Sequence, residues 1–177
     1  MVCFVILVMA DRTRNLKCLW VSIVIFVAGW LVEVLGVNTG VIFGSYGYSL
    51  LMGPALFGTP VVIGLNWLMT IYLSVTVAQG VTMHPFYRTV LAAVLMVIFD
   101  FLLEPAAIWM KMWFWEGGNV PLLNYISWFI VSLAFASLFP LLKIRIRNRL
   151  AFDLYAAQLG FFLLITAGSF VENLLKR

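Results

Sequence analysis

Apolar runs at residues 18–36, 60–79, 88–104, 122–142 and 151–171 dominate this chain, each bounded by charge or by Gly and Pro. A helix needs roughly 20 apolar residues to cross a bilayer, so every run is long enough to span one. Of the 177 residues 64% are hydrophobic and only 10% charged, where a soluble domain carries about 25% charged residues. The mean hydropathy of +1.09 belongs to the whole length and not to one end. The sequence therefore predicts an all-α polytopic integral membrane helix bundle, one transmembrane domain over 1–177 with five full spans and no separate soluble domain. Residues 1–10 are equally apolar but too short to cross. No basic stretch precedes them and no A-x-A cleavage site follows, so they read as a partial N-terminal helix and not as a signal peptide.

Eleven Lys and Arg stand against seven Asp and Glu, an excess too small and scattered for nucleic-acid binding. It serves as a topology signal instead. With the loop at 11–17 on the cytoplasmic side, Arg12, Arg14, Lys17, Arg88, Lys143, Arg145, Arg147 and Arg149 fall inside, and only Lys111, Lys176 and Arg177 fall outside. Cys3 and Cys18 form no CxxC or Cys/His metal spacing and read as packing residues.

Two connections on the outer side are unusual. Residues 38–59 (NTGVIFGSYGYSLLMGPALFGT) hold five glycines and no charge, too apolar for a solvated loop and too rich in glycine for a plain helix. Irregular backbone at membrane depth is tolerated only against protein or a cavity, which predicts a re-entrant segment lining a pocket. A compatible reading makes Gly36, Gly40 and Gly44 a small-xxx-small ladder for close helix contact. Residues 106–121 (AAIWMKMWFWEGGNVP) gather Trp109, Trp113, Phe114 and Trp115. They suit an interfacial aromatic belt or a wall for a long apolar ligand.

Carboxylates inside spans are costly and mark function by default. Glu33 lies near the outer end of the 18–36 run, and Asp100 and Glu104 stand four apart on one face of the 88–104 run. In the expected topology all three reach the outer half of the bilayer, with Asn66 and Asn124 in the same layer. Like-charged carboxyls crowded in an apolar setting cannot all ionise, so at least one keeps its proton at neutral pH and can donate it, while an ionised neighbour acts as base or stabilises positive charge. The bland alternative is a structural polar cluster at helix ends. Asp153 starts the last run beside the basic loop, where it suits a helix N-terminus and a pair with Arg147 or Arg149. There is no HExxH, no GxSxG and no phosphate-binding glycine loop, and His84, next to Pro85, reads as interfacial. One histidine argues against metal-dependent desaturase or hydroxylase chemistry. No metal, nucleotide or redox cofactor is implied.

The order Glu33 and Gly36, then Phe43-Gly44-Ser45-Tyr46-Gly47-Tyr48, Gly53, Gly58-Thr59-Pro60 and Trp67, then Asp100, Glu104-Pro105, Trp113, Trp115, Pro121, Asn124 and Trp128 resembles the carotenoid biosynthesis membrane proteins. That family includes carotenoid 1,2-hydratases of the gamma-carotene and bisanhydrobacterioruberin type, and the match spans about residues 30–130. The resemblance implies a cofactor-independent membrane enzyme that adds water across the terminal double bond of an acyclic carotenoid end, giving a tertiary alcohol. It implies a lipophilic carotenoid substrate among membrane lipid, association with other carotenoid enzymes and residence in the plasma (inner) membrane of a prokaryote. Asp100, Glu104 and Glu33 are the expected catalytic groups, with Asp100 or Glu104 as proton donor and Glu33 as the ionised partner that orients water. Tyr46, Tyr48, Asn66, Trp67, Trp113, Trp115, Asn124 and Trp128 are the expected substrate-binding residues. The chemistry fits the residues, since alkene hydration needs a dry acid, a cation stabilised by aromatic faces and carboxylates, and one admitted water. A carotenoid cyclase would make the same cation and quench it with an internal double bond. A small proton-coupled carrier also uses intramembrane acids, but its acids form a chain across the membrane, and no inverted repeat is visible here.

Overall fold

Each of the five apolar runs folds as a helix in the structure, a computed structural model that describes residues 7, 9–13 and 15–175. The helices are α1 (Leu16–Thr39), α2 (Val62–Val81), α3 (Pro85–Trp109), α4 (Leu122–Leu141) and α5 (Leu150–Leu175). All five are long and apolar enough to cross a membrane. The all-α membrane bundle expected from hydropathy is thus the observed fold. Leu7, Met9 and Ala10 are helical; the rest of the partial helix expected over 1–10, Cys3, Arg14, Lys176 and Arg177 lie outside the described residues.

α3 occupies the middle of the bundle, packed against α2, α4 and α5, while α1 packs on α2 and more lightly on α4. Burial follows that arrangement. In the most apolar stretch of α2 61% of residues are buried, whereas in that of α5, which packs on α2 and α3 along one side, only 6% are. α1 and α2 pack closely at two glycines: an added Cβ at Gly29 would lie 2.7 Å from Cβ of Trp67, and one at Gly64 would lie 2.6 Å from the Phe26 carbonyl oxygen.

The expected end of α3 shifts for an identifiable reason. α3 runs through Pro105 to Trp109 instead of stopping at 104. Proline forfeits one backbone hydrogen bond without ending a helix whose neighbours are held by packing, and Ala106 and Ala107 on the following turn are buried. The helix is stopped after Trp109 by Lys111, which takes the left-handed conformation (φ 57°). There Met112 N–H donates to Ala107 O at 2.9 Å and Lys111 N–H to Ile108 O at 3.0 Å, the paired bonds of a Schellman motif. α4 ends the same way at Lys143 (φ 56°), with Ile144 N–H donating to Phe139 O at 2.8 Å.

The segment at 38–59 is not helical beyond Thr39. It forms β1 (Tyr46–Tyr48), a 3-10 turn (Leu50–Met52), and the strands β2 (Ala55–Leu56) and β3 (Thr59–Pro60) of a small hairpin. Asn38 Nδ2 donates to Phe57 O at 2.8 Å and Trp30 Nε1 to Thr59 O at 3.4 Å, strapping this hairpin to α1. Gly36, Gly40 and Gly44 do not form an interhelical ladder. Gly36 instead lets the chain fold back on its own helix, since a Cβ there would stand 2.6 Å from the Phe43 ring and 2.9 Å from the Tyr46 hydroxyl. The second unusual connection is helical only at its start, to Trp109, and its remainder contains β4 (Trp113–Trp115), which pairs antiparallel with β1. Asp153 lies exposed in the first turn of α5. Among the described residues it forms no ion pair with Arg147 or Arg149, so the pairing expected there is not made.

Candidate active site

The β1–β4 ribbon joins the two unusual connections over one end of the bundle. Its register sets Tyr46 opposite Trp115, Gly47 opposite Phe114 and Tyr48 opposite Trp113. Side chains alternate between the faces of a strand, so the two tyrosines and two tryptophans point inward together while Phe114 is exposed. The aromatic stretch therefore divides. Trp109 and Phe114 meet the surroundings as belt residues do, and Trp113 and Trp115 are buried.

Beneath the ribbon lie the three carboxyls. Glu33 is 4% exposed, Asp100 1% and Glu104 3%. Glu33 Oε2 accepts the hydroxyls of Tyr46 at 2.5 Å and Tyr48 at 2.8 Å, and its Oε1 accepts Trp67 Nε1–H at 2.9 Å. Glu104 Oε2 accepts two indole N–H groups, from Trp113 at 3.0 Å and Trp115 at 2.9 Å. Asp100 Oδ2 accepts Asn124 Nδ2 at 2.6 Å. An indole nitrogen can only donate, so the three tryptophan contacts fix Glu33 Oε1 and Glu104 Oε2 as acceptors. Burial, and then the charge of Glu33, push the phenol pKa of both Tyr46 and Tyr48 up, which keeps these ribbon hydroxyls protonated and donating.

The aromatic rings form a continuous lining. Tyr46 lies 5.0 Å from Trp115 and 5.6 Å from Tyr48, and Tyr48 lies 6.0 Å from Trp113. On the other side Trp67 stacks on Trp128 at 4.2 Å with 22° between the planes, a spacing at which ring faces attract. Between these walls is a cavity of about 30 Å³ onto which Glu33, Asp100 and Glu104 all open. Such a space holds about one water molecule.

The residues expected to be catalytic or substrate-binding lie in or beside this cavity. Tyr46, Tyr48, Asn66, Trp113, Trp115, Asn124 and Trp128 line the cavity with the three acids, and Trp67 backs it through Glu33 and Trp128. Asn66 is half-buried, and its backbone carbonyl accepts the Thr70 hydroxyl. Phe43, Ile63 and Leu103 also line the cavity and were not anticipated. Apolar residues among apolar residues carry no signal, although Phe43 opens the FGSYGY block and Leu103 precedes Glu104.

A model of the carotenoid biosynthesis protein family matches residues 1–174. The chain belongs to that family. No curated protein and no solved structure matches it. For a carotenoid biosynthesis protein the informative feature of the site is its donor set. Among the described residues no group of three His, Cys, Asp or Glu side chains is arranged to hold a metal ion. The three carboxyls are instead engaged by phenol, indole and amide donors, an arrangement that holds acids in fixed positions and suits proton transfer.

Proposed function

We propose that this carotenoid biosynthesis protein is a hydratase that adds water across the terminal carbon–carbon double bond of an acyclic carotenoid end. The observation that carries the reading is the water-sized cavity bounded by three carboxyls and walled by aromatic rings. Asp100 is the proton donor in this reading. It receives a single donor, on Oδ2, so Oδ1 is the oxygen left to carry a proton. The acid O–H transfers its proton to the less substituted alkene carbon, leaving a tertiary cation on its neighbour. The carboxylates and the ring faces of Tyr46, Tyr48, Trp113 and Trp115 stabilise that cation.

Water held in the cavity then adds to the cation, and the proton it sheds returns to a carboxylate. The balance is one water consumed and a tertiary alcohol formed, with no change in the state of the protein. Glu33 already accepts three donors, which suits an ionised carboxylate that orients the water. The bundle works in the inner membrane of a prokaryote, drawing its substrate from the lipid phase beside other enzymes of the pathway.

The test is expression in a bacterial host that makes an acyclic carotenoid, followed by mass analysis of the pigments. Hydration adds the mass of one water, and in isotopically labelled water the new hydroxyl carries the label with chelator present and oxygen absent. A product of unchanged mass would identify a cyclase, and label drawn from molecular oxygen would identify a hydroxylase. Either result overturns the proposal.

A further inference from the structure

At the opposite end of the bundle from the acids, the connection between α4 and α5 has a regular pattern. Ile144, Ile146 and Asn148 are buried, while Lys143, Arg145, Arg147 and Arg149 between them are exposed. Burial alternates residue by residue, and over the non-helical stretch 144–148 Arg145 and Arg147 project from one side roughly 6.6 Å apart, flanked by Lys143 at the end of α4 and Arg149 at the turn into α5.

The strip is anchored from behind. Gln79 on α2 pairs with it as a neighbouring strand would: its Oε1 accepts Ile146 N–H at 2.9 Å and its Nε2 donates to Ile144 O at 3.2 Å. Arg12 N–H donates to Arg147 O at 3.0 Å, and Asn148 Nδ2 donates to Leu7 O at 2.9 Å. Among the described residues none of the four cations forms an ion pair. Beside them opens a recess of about 290 Å³ lined by Thr76, Gln79, Gly80, Arg145, Ile146 and Arg147.

We propose that this strip and recess bind the headgroup phosphate of an anionic phospholipid. Arg145 and Arg147, without an ion-pair partner and carried on backbone held by Gln79 and Arg12, form a ready site for a phosphate at the recess, with Lys143 and Arg149 adding charge on either side. Their setting identifies the source. Leu141 and Leu142 on one side of the strip and Leu150 and Phe152 on the other are exposed apolar side chains at helix ends that cross the membrane. A ligand seated on the cations therefore has acyl-compatible surface on both flanks, which a phospholipid satisfies and a free phosphate or a soluble acidic protein does not. Basic residues at a bilayer surface each strengthen attraction to anionic lipid.

The experiment is native mass spectrometry of the full chain released from detergent after exposure to equal amounts of phosphatidylglycerol and phosphatidylcholine. Retained adducts should be mainly phosphatidylglycerol, and this selectivity is read on the unaltered protein. Arg145→Gln with Arg147→Gln should weaken phosphatidylglycerol retention by about fivefold for each cation removed and leave phosphatidylcholine unchanged. Arg145→Lys with Arg147→Lys keeps the charge and should keep most of the binding. Equal retention of the two lipids, or retention indifferent to the glutamine pair, would overturn the proposal. Displacement of phosphatidylglycerol by inorganic phosphate or by an acidic peptide at equal concentration would also overturn it, assigning the strip to a free anion or to a protein partner.

Discussion

Tyr46 and Trp115 face each other across the β1–β4 ribbon with ring centroids 5.0 Å apart, and each donates to a different carboxyl, Tyr46 to Glu33 and Trp115 to Glu104. One pair of touching rings thus links two acids carried by different helices. Tyr46→Phe and Trp115→Phe should each remove a hydrogen bond to a buried carboxyl, at about 2 kcal/mol of stability. Because the rings touch, the double variant should deviate from additivity by more than about 0.5 kcal/mol. Thermal melts of the four proteins in detergent measure this, and strict additivity would mean that the two acids are held independently.

Glu33→Gln, Asp100→Asn and Glu104→Gln should each abolish product while folded protein remains in the membrane. Groups that act as a unit give non-additive losses, so double variants should be no worse than singles. Asp153→Asn, at an exposed position away from the cavity, should retain activity. Pigment extraction against the amount of folded protein decides, and normal product from Asp100→Asn would leave the acids a purely structural part.

Gly36→Ala tests the site without altering any polar group. The added Cβ would lie 2.9 Å from the Tyr46 hydroxyl, displacing the donor that Glu33 depends on. Overpacking of this kind costs about 1–3 kcal/mol. Product should fall to the level of Tyr46→Phe, and a fully active Gly36→Ala would show that the Tyr46 contact is dispensable.

A cavity of about 30 Å³ admits a water but not an isoprenoid end, so the proposed hydration predicts that the ribbon lifts to admit the substrate. Gly47 and Phe114 are directly opposed, and as a hydrogen-bonded antiparallel pair their Cα atoms are about 5.5 Å apart, within disulfide range. Gly47→Cys with Phe114→Cys, in a background without Cys3 and Cys18, should lose activity on oxidation and regain it on reduction. Full activity of the oxidised protein would place the route to the acids elsewhere.

Orientation follows from the basic residues and is read by labelling. In a background without Cys3 and Cys18, Lys143→Cys should be protected from an impermeant thiol reagent in intact cells, and Asn119→Cys, exposed beyond β4, should react. The reverse pattern would put the acids near the cytoplasmic face.

The spans were legible because hydrophobic length is a property of each run alone. The end of α3 was not, because Pro105 normally signals a stop and the terminator is a left-handed lysine, not a glycine. The site was legible as a layer, since Glu33, Asp100 and Glu104 are conspicuous acids in apolar surroundings. Its wiring was not. YGY and WFW pair across more than sixty residues, and alternation within three residues does not announce a distant partner. Nor does sequence distinguish Trp109, which reaches Glu172 at 3.3 Å on the surface, from Trp113, which reaches Glu104 inside.

The spacing of donors behind their acids bears on how the chain is made. A carboxyl entering hydrocarbon unaccompanied costs several kcal/mol. Tyr46 and Tyr48 follow Glu33 by 13 and 15 residues, and Trp113 and Trp115 follow Glu104 by 9 and 11. Each of these acids is thus handed its first donors within the same stretch of chain to leave the ribosome, before the next helix is complete. Asp100 waits 24 residues for Asn124. It is the last of the three to be accommodated during insertion, and the bundle around it closes only when α4 arrives.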